Sequence, residues 1–256
     1  MTLRAESLTI ARGGRPVVEH VSAALEPGTI TAICGPNGAG KSSLLLALAG
    51  LLTPASGLVM LGDVAVNAMQ TRSRAKAIGY LPQEGEVAWD VAVESLVRLG
   101  RLPHRDEGHE AVEAAIASLD LQALRDRPVS KLSGGERARA LLARGLAGQP
   151  DWILADEPLA ALDLAHQQRL LAQLRKAADD GAGVALVLHD LSLAMNHADR
   201  VLVLQQGRLA ASATPDEGLS PDILAAVWGV DAHWLGVPGA RALAVRAQGE
   251  SALGGL

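Results

Sequence analysis

Gly35-Pro36-Asn37-Gly38-Ala39-Gly40-Lys41-Ser42 fits the pattern G-x-x-x-x-G-K-[ST] in full. Its glycines let the backbone bend closely around an anion and turn N–H groups toward it. A helix opening at the lysine adds the partial positive charge of its N-terminus. In that arrangement Lys41 reaches the β- and γ-phosphates of a nucleoside triphosphate, and Ser42 ligates Mg²⁺. The second chemical element is Trp152-Ile153-Leu154-Ala155-Asp156-Glu157, an apolar run ending in two carboxylates. Asp156 can join the Mg²⁺ shell, and Glu157 can orient or deprotonate an attacking water. Side chains alternate along a strand, so the two neighbouring acids can take different roles. Alone, Asp-Glu-Pro is a common acidic turn; beside a phosphate loop it points to transfer of a γ-phosphate to water.

These groups act only if strands and helices bring them together. Loose alternation over residues 3–31, with Gly13-Gly14 and Pro27-Gly28 as punctuation, predicts short antiparallel strands. Ile30 to Cys34 is a compact apolar strand running into the glycine loop, and Ser42 to Leu52 a helix apolar nearly all round, hence buried. Residues 57–66 and 77–81 read as further strands. Val91 to Ala147 is helical in pattern, with an amphipathic helix over Glu110 to Leu121 and another over Glu136 to Ala147. Trp152 to Ala155 and Val184 to Leu188 are buried strands with a helix from about Leu164 to Ala178 between them. Val201–Leu204 and Arg208–Ala211 suggest a hairpin around Gln206-Gly207, followed by a short helix over Pro221 to Trp228. The tail from Gln248 holds Gly and Ser and reads as frayed. Strands alternating with helices give an α/β chain with a mostly parallel sheet, one domain over residues 1–247. There is no internal repeat or low-complexity linker.

Composition narrows the function. The chain has 256 residues, 49% of them hydrophobic, enough for a sizeable core and against disorder. Aromatics are only 2%, with no Phe, so Ala, Leu and Val fill that core and a site built on aromatic stacking is not expected. A net charge of −5 argues against nucleic acid as a partner. No apolar run approaches the roughly 18–20 residues of a membrane span, and Arg4 and Glu6 precede any apolar stretch, unlike a signal peptide. Cys34 is the single cysteine, which excludes an intrachain disulfide and fits a reducing compartment. It reads as a small buried strand residue rather than a redox group.

The deciding string is Leu132-Ser133-Gly134-Gly135-Glu136. Ser133 and two glycines opening a helix make a second anion-binding terminus. The string looks like the signature of the ATP-binding cassette (ABC) ATPases, and with it the sequence resembles that family over about residues 3–235. The resemblance implies a P-loop NTPase cassette: a RecA-like core, an N-terminal antiparallel β subdomain and an α-helical subdomain inserted at about residues 84–150. It implies ATP and Mg²⁺ as cofactors and a second copy as partner. ATP is then held head to tail between Gly35, Pro36, Asn37, Gly38, Ala39, Gly40, Lys41, Ser42 and Ser43 of one copy and Ser133, Gly134 and Gly135 of the other. Gln83, in Tyr80-Leu81-Pro82-Gln83, resembles the Q-loop glutamine, which senses Mg²⁺ and water; it is expected among the catalytic residues and, with Ser42 and Asp156, as a metal contact. Ala161-Leu162-Asp163 resembles the D-loop that crosses the dimer interface. His189, after the strand Val184–Leu188, resembles the switch histidine at the γ-phosphate, working with Glu157 as catalytic group. One position departs from the family, which usually stacks an aromatic residue from the loop after the first strand on adenine. Here the register points to Arg12. A guanidinium plane also stacks on a base; the alternative is a solvated turn arginine and a loosely held adenine.

Finer strings resemble one branch. Gly100-Arg101-Leu102-Pro103-His104 after Val93-Glu94, Asp163-Leu164-Ala165-His166-Gln167, His189-Asp190-Leu191-Ser192-Leu193-Ala194 and the ending Thr214-Pro215…Val227-Trp228-Gly229-Val230 are similar to elements of iron-siderophore, haem and cobalamin importer ATPases. As isolated strings they are also ordinary helix-surface and turn residues. Too little chain follows Leu204 for the regulatory domain of about 100 residues that sugar-importer cassettes add. A second phosphate loop, a heptad insertion and a permease segment are all absent from the sequence. The branch implies a transmembrane permease dimer as partner, a periplasmic binding protein indirectly, and a place at the cytoplasmic face of the inner membrane. His104 and His166 invite a metal-ligand reading, but no cysteine or acidic cluster completes a site by spacing. The competing classes are an exporter cassette, a soluble ABC ATPase in assembly or regulation, and a small-molecule P-loop kinase. Leu132–Glu136 and Glu157 speak against the kinase. The shared motifs leave siderophore, haem and cobalamin open as cargo.

Overall fold

Two sheets and a set of helices carry the motif residues. The structure is a computed structural model and describes residues 1–83, 90–160 and 162–246. The start of the expected helical insertion at 84–89, Ala161 of the D-loop string and the tail from Gln248 lie outside the described residues.

The alternating N-terminal segment forms β1 (Leu3–Arg12) and β2 (Arg15–Leu25), an antiparallel pair turning at Gly13-Gly14. β3 (Ile30–Cys34) follows and feeds the glycine loop and α1 (Lys41–Leu48). α1 stops at Leu48 rather than Leu52 because Gly50, at φ +67°, turns the chain. The run expected as one strand over residues 57–66 is a hairpin, β4 (Ser56–Leu61) and β5 (Val64–Ala65), with Gly62-Asp63 between the strands. α2 (Thr71–Ala77) leads directly into β6 (Ile78–Leu81). The stretch expected to be helical from Val91 to Ala147 holds three helices, α3 (Val93–Arg98), α4 (His109–Ser118) and α5 (Gly134–Ala147), with turns and short 3₁₀ pieces between them. Ala92 instead bridges Pro128, and the helix expected to reach Leu121 stops at Ser118, before Asp120 at φ +52°. Then come β7 (Trp152–Asp156), α6 (Leu164–Asp179), β8 (Gly183–Val187), α7 (Leu191–His197), β9 (Arg200–Gln205) and β10 (Arg208–Ala213). The chain closes with α8 (Pro215–Gly218), α9 (Pro221–Trp228) and a hairpin of β11 (Ala232–Leu235) and β12 (Ala242–Val245).

The strand order is β2-β1-β4-β5 in an antiparallel sheet and β10-β9-β3-β8-β7-β6 in the central one. All neighbours in the central sheet are parallel except β10, which folds back antiparallel on β9. β3, β7 and β8 are buried at every position, which is why their sequences are continuous apolar runs rather than alternating ones. One core cluster lies between this sheet and α3 to α6; the other lies between the sheet, α1 and the antiparallel layer. With no Phe available, Leu, Val, Ile and Ala fill both. Trp152 is fully buried, and its Nε1 donates to the Met1 carbonyl at 2.9 Å. Among the described residues no helix is long and apolar enough to cross a membrane.

The parallel order places the C-terminal ends of β3 and β7 on one edge, with β8 between them. This edge holds the phosphate loop, the two acids and His189. Brought there by topology, they are far apart in sequence.

Candidate functional site

The phosphate loop leaves β3 under tight constraint. Gly35 has φ +148°, and a Cβ there would collide with the Leu204 carbonyl of β9. Gly40, at φ +98°, is the N-cap of α1, and its Cβ would collide with the Val17 carbonyl. Both positions demand glycine, so the loop is clamped between the two sheets. Lys41, the first residue of α1, is buried; its Nζ donates to the carbonyls of Gly35 at 2.8 Å and Pro36 at 3.0 Å. Burial lowers its pKa, while Glu157, Cys34 and Asp156 hold it up. Cys34, fully buried, has its thiol pushed up to about 12 by desolvation, opposed by Lys41. That makes it an inert strand residue.

Asp156 ends β7 and is buried. Ser42 Oγ donates to its Oδ1 at 3.1 Å. Burial raises the Asp156 carboxyl above the usual range, the Ser42 hydrogen bond opposes that, and the neighbouring Glu157 charge adds to it. A hydroxyl and a carboxylate oxygen in one half-buried pair are the kind of hard-oxygen donors that suit Mg²⁺. Glu157 follows at φ +50°, the left-handed region that ordinary residues avoid. This strained link ends the strand and separates the environments of the two acids. Glu157 Oε2 accepts from Gln83 Nε2 at 2.8 Å, and its Oε1 pairs with His189 Nε2. Gln83 stands just past β6 and His189 just past β8, so three separate segments meet on one carboxylate. Asp190 then caps α7, accepting from the amides of Ser192 at 2.7 Å and Leu193 at 3.3 Å.

A cleft of about 340 Å³ is lined by Val17, Asn37 to Ser43, Glu157 and His189. Val17 was not foreseen: an apolar residue after a hairpin turn carries no chemical signal. Arg12 ends β1, is exposed and is not among the described residues lining this cleft. It lies close enough to Tyr80 to oppose the rise of that hydroxyl to about 12, which burial dominates.

Ser133 is the N-cap of α5 in a full capping box. Its Oγ accepts from the Glu136 amide at 3.3 Å, and its own amide donates to Glu136 Oε2 at 2.8 Å. That backbone hydrogen bond holds the Glu136 carboxyl below its ordinary range. Around Gly134 there is open space. Among the described residues, none of Ser133, Gly134 and Gly135 lines the cleft at the glycine loop, so within one chain the N-terminus of α5 does not share that cleft. Asp163 caps α6, accepting from the His166 amide at 2.9 Å and meeting His166 Nδ1 at 2.7 Å. Gln167 pins the turn before it by donating to the carbonyls of Leu159 and Leu162, each at 3.2 Å. His104 Nε2 meets the Gly148 carbonyl at 2.9 Å. His104 and His166 are thus engaged in hydrogen bonds at helix ends.

The sequence model of the ABC transporter family matches residues 18–160, more than half of the chain. The chain belongs to the ABC transporter family. Within it, the relatives include the hemin import ATP-binding protein HmuV of Pseudomonas aeruginosa, 44% identical over 90% of this chain and 93% of that protein. The protein of the same name from Bordetella bronchiseptica is 40% identical over 93% of this chain and 96% of its own length. Among solved structures, a metal-chelate-type ABC transporter in an inward-facing conformation superposes with a TM-score of 0.79 at 25% identity, covering 96% of this chain and 98% of that one. The expected cassette fold is therefore present, and the chain is an ATP-hydrolysing ABC subunit. ATP-binding subunits of ABC importers work as dimers with a membrane permease.

Proposed function

We propose that this ABC subunit hydrolyses ATP to energise import of an iron chelate, haem first among the candidates, through a separate permease at the cytoplasmic face of the inner membrane. The observation that carries the reading is identity of 40–44% along nearly the whole chain to hemin import ATP-binding proteins. A periplasmic binding protein would deliver the cargo, and the cassette would never touch it.

The site supports a mechanism of ligand exchange. Lys41, Ser42, Asp156, Gln83, Glu157 and His189 are hydrogen-bonded to one another or to loop carbonyls. ATP entering the cleft substitutes for these internal partners. The Lys41 ammonium leaves the Gly35 and Pro36 carbonyls for the β- and γ-phosphates, beneath the N–H groups of Gly38 to Ser43. Ser42 and Asp156, joined by Gln83, would hold Mg²⁺, which when bound neutralises charge on the phosphate oxygens. Glu157, released from Gln83 or His189, accepts the proton of the attacking water. His189 stays at the γ-phosphate side and donates to the developing charge. Positioning and electrostatics supply most of the rate. The second copy brings Ser133, Gly134 and Gly135 of its α5 terminus to close the site, with Asp163 at the interface. Arg12 covers the adenine.

Uptake of radiolabelled haem, ferric siderophore and cobalamin in cells lacking this chain tests the reading. Restoring the chain should recover haem uptake, and a Lys41→Ala copy should not. Loss confined to cobalamin or a siderophore would reassign the cargo. Uptake of all three unchanged without the chain would reject import.

A further inference from the structure

Two surface arginines reach from elements flanking the central sheet into the helical region. Arg72 on α2 donates through Nε to the Pro103 carbonyl at 2.6 Å and through Nη2 to the His104 carbonyl at 3.1 Å. Arg169 on α6 pairs through Nη1 with Asp120 Oδ2 at 2.7 Å. Each lands on a segment that grips α5. The Gly100–His104 turn holds the C-terminal end of that helix: Arg101 Nη1 donates to the Ala147 carbonyl at 3.1 Å, and His104 Nε2 to the Gly148 carbonyl at 2.9 Å. Gly100 lies so close to the Arg144 carbonyl that no Cβ fits between. Arg101 itself is buried and clasped by Asp106 at 2.9 and 2.7 Å, so the turn is stiff. On the other side, Leu119 and Asp120 follow α4, and their carbonyls accept from Arg139 Nη1 of α5 at 2.9 and 3.3 Å.

α5 carries Ser133 at its N-terminus, and a helix of 14 residues transmits a tilt at one end to the other as a rod. The elements from which the clasps start also serve the site. α2 runs into β6 and so to Gln83, while α6 begins at the Asp163 cap. We infer that Arg72 and Arg169 are positioning residues: together they set the angle of the Ser133-bearing helix to the phosphate loop before ATP joins two copies. This rests on the proposed shared site. Both clasps are exposed, the Arg169–Asp120 pair at 59% and 62%, so solvent competes for them and each contributes little alone. Because they grip α5 at two places, either one leaves a pivot, and loss of both frees the helix to swing.

Two measurements on the full chain test this. The first is the distance distribution between spin labels at Ala117→Cys on α4 and Ala210→Cys on β10, both exposed, in the absence of nucleotide; Cys34 is buried and stays unlabelled. Arg72→Ala and Arg169→Ala should each broaden it, and the double variant should broaden it most. The second is steady-state ATP hydrolysis. Each single variant should raise half-saturating ATP by about two- to fivefold, and the double variant by more than their product, because the two clasps hold one helix, with kcat nearly unchanged. Arg169→Lys keeps the ion pair and should restore both readouts; Arg72→Lys should restore less, because two carbonyls need the guanidinium fork. An unchanged distribution in the double variant overturns the inference. So does a broadened distribution with unchanged half-saturation, or a fall in kcat without a shift in half-saturation. A wild-type chain without ATPase activity would instead sink the proposed function, and the distance distributions would still decide whether the clasps hold α5.

Discussion

Glu157→Gln separates the chemistry of the site from its architecture. The carboxylate has two partners, Gln83 Nε2 at 2.8 Å and His189 Nε2. A glutamine fills the same volume and can accept from one of them, and Gln83 can rotate its own amide to accept from the new N–H₂. The backbone strain at φ +50° is the same for Glu and Gln, so the folded structure should keep its stability. What disappears is the carboxylate proposed as proton acceptor. A positioned general base contributes about 10²- to 10⁴-fold, or about 3–5 kcal/mol of barrier. Glu157 also leads the charges that hold up the Lys41 pKa, so the variant lowers that value further. The expected result is phosphate release reduced at least a hundredfold, with nucleotide still bound and the two-copy state accumulating on size exclusion with Mg-ATP. Turnover within about tenfold of wild type would refute Glu157 as the base.

Asp156→Asn should change stability and binding in opposite directions. Burial raises the Asp156 carboxyl, so the folded state favours its protonated form and loses stability as pH rises through that raised value. The amide should therefore raise the melting temperature of the nucleotide-free chain at neutral pH, the gain vanishing in acid, while the extra stabilisation by Mg-ATP is lost. A lower melting temperature at neutral pH would contradict the burial argument. Arg12→Ala should raise the KM for ATP several-fold and leave kcat alone; an unchanged KM returns Arg12 to a solvated turn. With GTP in place of ATP, a parallel rise would show stacking without base specificity.

The sequence was most legible where burial is complete. β3 and β7 are covered on both faces, so their apolar runs stand out, and the phosphate loop and acids follow them directly. The signature was legible as an N-cap, because Ser133 and Glu136 satisfy each other locally. α2 was not: its residues Thr71–Ala77 are mostly polar, and its role is to carry Arg72 to a turn about thirty residues away in sequence. The hairpin β11–β12 was also hidden. It is held by Asn196, whose side chain exchanges hydrogen bonds of 2.8 Å with the backbone of Arg241, a link without local pattern. The meeting of Gln83, Glu157 and His189 arises from parallel strand order. Residue spacing alone could not give it, and the family resemblance supplied the three names without the contacts. The shortage of aromatics, visible from composition, bears on the proposed adenine contact of Arg12.

The central claim is that ATP is hydrolysed at a site shared by two copies, Lys41 from one and Ser133 from the other. Mixing two inactive variants tests it most directly. Lys41→Ala and Ser133→Arg chains, each alone, have both shared sites broken. In an exchanged mixture the hybrid pair joins an intact phosphate loop to an intact signature at one of its two sites. Mixing should restore hydrolysis to about a quarter of the wild-type rate, since about half of the pairs are hybrids and each hybrid has one of its two sites intact. Activity that stays at the level of the separate variants, with hybrid pairs verified by differential tagging, would contradict it.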